Sequence, residues 1–218
     1  MHFPENVLPP HLEPHLGFID QLRHTGHLFW QRGWSRGTSS NYSVVVNRDP
    51  VQLLVTASGK DKGNLLCSDF VLTDSRGESL VSGQPKSSAE TLLHCLAAEN
   101  SEVGAILHTH SIWSTVLSDR FWPQGGIWVE GYEMLKGLSG VGTHEHSEWF
   151  PIFENTQDIA ALAERVRTTM ATVSQPLHGY IIRRHGMYTW GRDLNEAVRH
   201  VEIIEFLLEC LGRNAMLA

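Results

Sequence analysis

The sequence predicts an α/β protein in which helices cover a largely antiparallel sheet. Three observations carry that expectation. Short apolar runs are joined by tight turns, apolar stripes of helical period lie between them, and the two alternate irregularly, unlike the strict strand–helix–strand order of a parallel sheet. With 218 residues, no linker and no internal repeat, the chain is expected to be one domain spanning 1–218.

The first element is a helix from Pro14 to Gln31, with Leu16, Ile19, Leu22 and Phe29 on one face. A Gly/Ser/Thr-rich loop follows. Tyr42 to Val46 and Gln52 to Thr56 are strands joined by the turn Asn47-Arg48-Asp49-Pro50, and Phe70 to Thr73 is a third. The period then changes: Leu92, Leu93, Leu96 and Ala97 stripe a helix from Ser88 to Glu99, with Ser87 or Ser88 as its cap. Val103 to Leu107 is an apolar run ending in His108-Thr109-His110, and Ile112 to Leu117 is a short helix. Ile127 to Val129 is a strand, and Glu133 to Lys136 a helical turn stopped by Gly137. The stretch holding His144-Glu145-His146 reads as a solvated loop. Thr156 to Ala171 is a helix capped by Asn155 or Thr156. Gly179 to Arg183 and Met187 to Trp190 are strands, and Asp193 with Glu196 opens a final helix to about Leu211.

Composition narrows the function. The net charge is -7 and no Lys/Arg cluster exceeds Arg183-Arg184, so no nucleic-acid partner is expected. No run reaches the roughly 18 apolar residues of a membrane span, and the first thirty residues lack the pattern of a secretory signal. Three cysteines without CxxC spacing fit a reducing cytoplasm better than a disulfide framework.

Thirteen histidines are the unusual feature. In a strand, residues i and i+2 share a face, so His108 and His110 can grip one ion where an apolar strand emerges into a cleft. His185 ends the apolar run Tyr180-Ile181-Ile182 and offers a third imidazole. Three imidazoles with an open position form a catalytic arrangement, whereas structural zinc sites close with four protein ligands. Imidazole also suits iron, cobalt, nickel or copper. His94, four residues after Glu90, is read as packing or supporting hydrogen bonding. His178, His200, His2, His11, His15, His24 and His27 carry no readable geometry. Glu90 and Glu133 are the carboxylates placed for acid/base work, with Glu130 competing for the second role. Gly37 to Asn41 and Thr56 to Lys60 are polar loops able to offer N–H groups and hydroxyls to an anion, and Ser88 adds a helix N-terminus.

Taken in order from Gly37 to Leu211, the stretches GTSSN, TASGKDKG, KSSAET, AILHTHS, EGYEMLKG, PIFENTQDI and RRHGMYTWGRD resemble the class II aldolase/adducin family. The resemblance implies a three-layer α/β/α fold on a mostly antiparallel sheet. It implies one Zn2+ per subunit on His108, His110 and His185, and a homotetramer with active sites near subunit contacts. EGYEMLKG and PIFENTQDI point, within the family, to loss of water from a small phosphorylated ketose, 5-methylthioribulose 1-phosphate, in methionine salvage. Glu133 matches the acid/base glutamate of that reaction, and Glu90 matches the one that aldolases use. Ser40, Asn41, Ser58, Gly59 and Ser88 match phosphate contacts, with Ser40 standing where aldolases often have glycine. A class II sugar-phosphate aldolase or epimerase is the alternative activity, and a non-catalytic adducin-like interaction module a more distant one. Tyr188 is a candidate for the methylthio end.

Overall fold

A computed structural model describes residues 7–217; His2 lies outside them. Eight strands form one sheet: β1 (Asn41–Arg48), β2 (Val51–Thr56), β3 (Phe70–Asp74), β4 (Ala105–Thr109), β5 (Gly126–Val129), β6 (Glu148–Phe153), β7 (Gly179–Ile182) and β8 (Gly186–Gly191). Their order is β3-β2-β1-β4-β8-β7-β6-β5. Every neighbouring pair is antiparallel except β6 with β7. The hairpins β1–β2 and β7–β8 follow from the short turns legible in the chain. The parallel pair is reached through a helical crossover.

Five helices complete the fold: α1 (Leu16–Gln31), α2 (Thr91–Ala98), α3 (Ile112–Arg120), α4 (Ile159–Thr172) and α5 (Leu194–Leu217). Strand alternation divides the core in two. Leu107, Ile181 and Met187 pack with α1, α3 and α5, whereas Ile106, Tyr180, Ile182 and Tyr188 pack with α2 and α4. Helices therefore cover both faces, giving the three-layer α/β/α arrangement.

Several boundaries differ from the sequence expectation. α2 begins at Thr91 because Ser88 to Glu90 form a turn, in which the Ser88 hydroxyl accepts from the Glu90 N–H. α4 begins at Ile159, and its cap is Asp158, which accepts from the Ala161 N–H. α5 continues through Gly212, where a Cβ would lie 2.2 Å from the Trp113 ring, so this glycine admits a neighbouring helix and does not end its own. β6 has no counterpart in the sequence reading. Its Pro151 demotes the run as a strand, yet the run pairs with β5 from Glu148 to Pro151 and with β7 at Ile152 and Phe153.

The loop ahead of β6 is more than a solvated connection. Glu148 is buried, taking hydrogen bonds from His178 at 3.0 Å and His146 at 2.7 Å. His178 also donates to the Ser139 carbonyl at 2.8 Å. Burial alone would raise Glu148, but bonds from His178 and then His146 hold it low; burial would lower His178, but Glu148 holds it high. The carboxylate's contribution is present above its unfolded value and lost as pH falls through its lowered one. The imidazolium's contribution is present below its unfolded value and lost as pH rises through its raised one. The stability difference between the wild type and Glu148→Gln is therefore expected to be largest between about pH 4.5 and 6.5 and to shrink on either side, as read by Tm across pH.

Candidate metal centre

β4 and β8 lie side by side at the middle of the sheet, with His108 opposite Tyr188 in register. This pairing brings the β7–β8 turn, which carries His185, beside the end of β4. Arg184 adopts a left-handed conformation (φ 54°) within that turn. His110, one residue past β4, is fixed by its N–H donating to the Trp34 carbonyl at 2.8 Å. In α3, Thr115 donates to the carbonyls of Ser111 at 2.7 Å and His185 at 3.1 Å, tying the two ligand-bearing segments together.

The three imidazoles converge. His110 Nε2 lies 2.7 Å from His108 Nε2 and 3.2 Å from His185 Nε2. His108 Nδ1 lies 2.9 Å from the Met187 carbonyl, which can only accept. The ring's proton is therefore on Nδ1, and its Nε2 lone pair faces the centre. Burial, reinforced by the neighbouring rings, pushes His108 well below the usual range, while burial and then His185 take His110 to about 3. Burial lowers His185 as well. Neutral imidazoles aiming lone pairs at one point are the donor set a divalent cation requires. Among the described residues this is the one His/Cys/Asp/Glu group close enough to share an ion.

Glu90 is the carboxylate that the fold brings to this centre. Oε1 lies 3.3 Å from His185 Nε2, Oε2 lies 3.9 Å from His108 Nε2, and Oε2 accepts from Asn41 Nδ2 at 2.8 Å. Burial raises its pKa and the Asn41 bond opposes that. A partly shielded carboxylate beside three imidazoles is a candidate proton carrier. Glu133 is placed differently. It is 70 % exposed, and its polar partners are Lys136 and, at 3.7 Å, His144. Glu130 is exposed and accepts from Ser147.

The phosphate candidates separate in the same way. The Ser58 N–H donates to the Lys86 carbonyl at 2.9 Å, laying the exposed Ser58-Gly59 loop against the segment leading to Ser88 and Glu90. Ser40 is buried with φ 74°, the conformation that explains a glycine preference at this position, and its hydroxyl lies 3.5 Å from the Trp34 carbonyl. Asn41 is engaged by Glu90.

Tyr188 is fully buried behind the centre, its ring 4.0 Å from that of His108 and stacked on it, so it is a support for the ligand and not a surface for a substrate's tail. His94 sits beside it, 2.8 Å from the Ser43 hydroxyl and held neutral by burial, with a pKa near about 3. Sequence reasoning missed Thr115 and the Trp34 carbonyl, neither of which has a signal in spacing. A separate cleft of about 790 Å³ includes His178, Trp190, Arg192 and His200 and shares no residue with the three-histidine group. Both ring nitrogens of each histidine in that cleft are already hydrogen-bonded.

A family profile described as Class II Aldolase and Adducin N-terminal domain matches residues 20–211. The chain belongs to the class II aldolase/adducin family. It is 48 % identical over 188 residues to a methylthioribulose-1-phosphate dehydratase of Marinobacter nauticus, covering 85 % of this chain and 88 % of the relative. It is 48 % identical over 191 residues to the protein of that name from Pseudomonas fluorescens, covering 87 % and 89 %. Among solved structures it shares its fold with an L-fuculose 1-phosphate aldolase, at a TM-score of 0.72 and 20 % identity over 96 % of this chain and 90 % of that one. A sugar-phosphate aldolase from Thermotoga maritima gives a TM-score of 0.70 at 18 % identity over 92 % and 95 %. Family members of this class generally use a divalent metal, and the three imidazoles of this chain fit one.

Gly186 shows how tightly the centre is built. A Cβ there would lie 2.1 Å from the Thr109 carbonyl oxygen and 3.1 Å from His108 Cε1. Gly186→Ala is expected to destabilise the fold by about 1–3 kcal/mol and to weaken metal retention, because relief requires β4 and β8 to part where the ligands sit. Thermal melts and metal analysis of the purified variant check this.

Proposed function

We propose that this protein removes water from 5-methylthioribulose 1-phosphate, giving 5-methylthio-2,3-dioxopentyl 1-phosphate, a step of methionine salvage. The observation that carries the reading is 48 % identity to named dehydratases over most of both chains. The metal is zinc, one per subunit, held by His108, His110 and His185, a reading that rests on the family resemblance and with which an all-imidazole set is compatible. When bound, such a cation supplies Lewis-acid charge at the ketose carbonyl and its adjacent hydroxyl.

The chain's own groups do the rest. Glu90, partly shielded and held by Asn41, takes the proton from C3. The C4 hydroxyl leaves as water on receiving a proton, and the enol left behind becomes the diketone. Glu133 is the second proton carrier. It lies exposed on its own chain, and a homotetramer with active sites near subunit contacts would cover it. Exposed Ile112 (63 %), Val116 (53 %) and Trp128 (57 %) offer apolar area for subunit contacts. Asn41, Ser58, Gly59 and Ser88 hold the phosphate and set the register of C2 to C4, with Ser40 shaping that loop from within. No described helix is long and apolar enough to cross a membrane. Three cysteines without CxxC spacing suit a reducing cytoplasm.

Turnover of synthetic methylthioribulose phosphate, with product identification, tests the proposal. The expected product is a diketone absorbing in the near ultraviolet. The same metal and Glu90 in an aldolase would break C3–C4 instead, so dihydroxyacetone phosphate plus an aldehyde would replace the dehydratase reading with the aldolase one.

A further inference from the structure

Strand alternation that turns His108 toward the metal centre turns Thr109 to the opposite face of the sheet, toward α5. There it meets Glu205. This glutamate is 2 % exposed, and its Oε1 accepts a hydrogen bond from the Thr109 hydroxyl at 3.2 Å. Its Oε2 is buried without a partner, and no Lys, Arg or His among the described residues forms an ion pair with it.

A helix gains nothing from such a side chain by packing alone. Glu205 lies in the stripe Val201, Ile204, Leu208, all buried, where an aliphatic residue would avoid the cost of an unsatisfied carboxyl oxygen. Burial pushes its pKa up to about 7, with Ser111 and Thr109 opposing. A polar group in this position is explained by what it touches, and it touches the hydroxyl of Thr109, which stands between His108 and His110 on the segment that carries them.

We infer that Glu205 is a positioning residue of the metal centre, bracing the His108–Ser111 segment from the far side of the sheet through Thr109. The inference rests on the reading that His108, His110 and His185 bind a divalent cation. β4 ends at Thr109, so past that residue the ladder no longer holds the chain. Three contacts hold the end of β4: past the ladder, the Trp34 carbonyl on the His110 N–H and Thr115 on the Ser111 carbonyl, and on the last ladder residue, Glu205 on the Thr109 side chain. Glu205 is the one of the three that works through a side chain facing away from the metal.

The test is titration of the metal-stripped full-length protein with Co2+, read by its visible absorption band. Wild type, Glu205→Ala, Glu205→Gln, Thr109→Val and the double variant Glu205→Ala/Thr109→Val are compared. Glutamine keeps an acceptor for Thr109, and valine keeps the strand's shape without the hydroxyl. Glu205→Ala and Thr109→Val are each expected to weaken Co2+ binding by about tenfold and to alter the absorption band. Glu205→Gln is expected to stay near wild type, and the double variant to be no weaker than the weaker single one. Wild-type binding in both Glu205→Ala and Thr109→Val would overturn the inference, as would Glu205→Gln falling as far as Glu205→Ala. Absence of Co2+ binding by the wild type would instead overturn the metal reading. If Glu205→Ala does not fold, Thr109→Val and Glu205→Gln decide the matter by the same criteria.

Discussion

His110→Ala is expected to leave the protein folded, unable to retain a divalent metal after dialysis, and slower in turnover by about a thousandfold or more. The fold survives because His110 lies past the end of β4, where its ring sits against the two other imidazoles. Metal retention fails because two imidazoles remain of a set of three, with no thiolate or fourth histidine within reach to replace the lost ligand. The rate falls because Lewis-acid stabilisation contributes several kcal/mol to the transition state, and each 1.4 kcal/mol is about tenfold. Elemental analysis, circular dichroism and turnover on the same preparation check the three parts. Global unfolding of the variant would mean that the metal is structural. Unchanged metal content would remove His110 from the ligand set.

Glu90→Gln is expected to retain the metal and lose turnover by about 10²–10⁴-fold, the range in which a positioned acid/base group contributes. Glutamine preserves the side chain's length and can still accept the Asn41 amide bond, so the turn ahead of α2 stays in place. What it removes is a carboxylate 3.3 Å from His185 Nε2 whose pKa burial has raised. Steady-state kinetics should show the loss in kcat, with KM little changed, since proton transfer and not binding has been removed. A near-normal rate in Glu90→Gln, set beside a loss of that size in Glu133→Gln, would move the role to Glu133. On a single chain Glu133 is held low first by its bond to Lys136, which suits a carboxylate in water better than a proton donor, so its part depends on what covers it.

Much of the architecture was legible because it rests on local pattern. The stripe Ile19, Leu22 and Phe29, the Asp193–Glu196 cap and the turns that make β1–β2 and β7–β8 are statements about neighbours in sequence, and all appear in the structure. β6 was not legible because it is stabilised by partners far along the chain. In the run Glu148-Trp149-Phe150-Pro151 the two aromatics favour a strand but Glu148 and Pro151 do not, and pairing with β5 makes it one. The cap of α4 was missed by two or three residues because Asn155, Thr156 and Asp158 are all competent caps, and only the direction in which the chain enters the helix selects among them.

The candidate site divides along the same line. The His-x-His spacing is a property of extended backbone, so the convergence of His108 and His110 could be read from two letters and the apolar run before them. By itself the sequence determined the candidate donor set, three imidazoles, and through its ordered motifs the family. Only the tertiary structure decided which carboxylate stands beside those ligands. Glu90 reaches them because β4, β8 and the start of α2 meet at one end of the sheet, while Glu133 is turned toward Lys136 and His144. It also decided what stands behind the ligands: Tyr188 against His108 and Glu205 against Thr109, partners 80 and 96 residues apart in the chain. The physical reason is that a residue's chemical type is encoded where it stands, whereas its partner, its burial and hence its pKa come from residues that only the packing of the sheet between its two helical layers brings near.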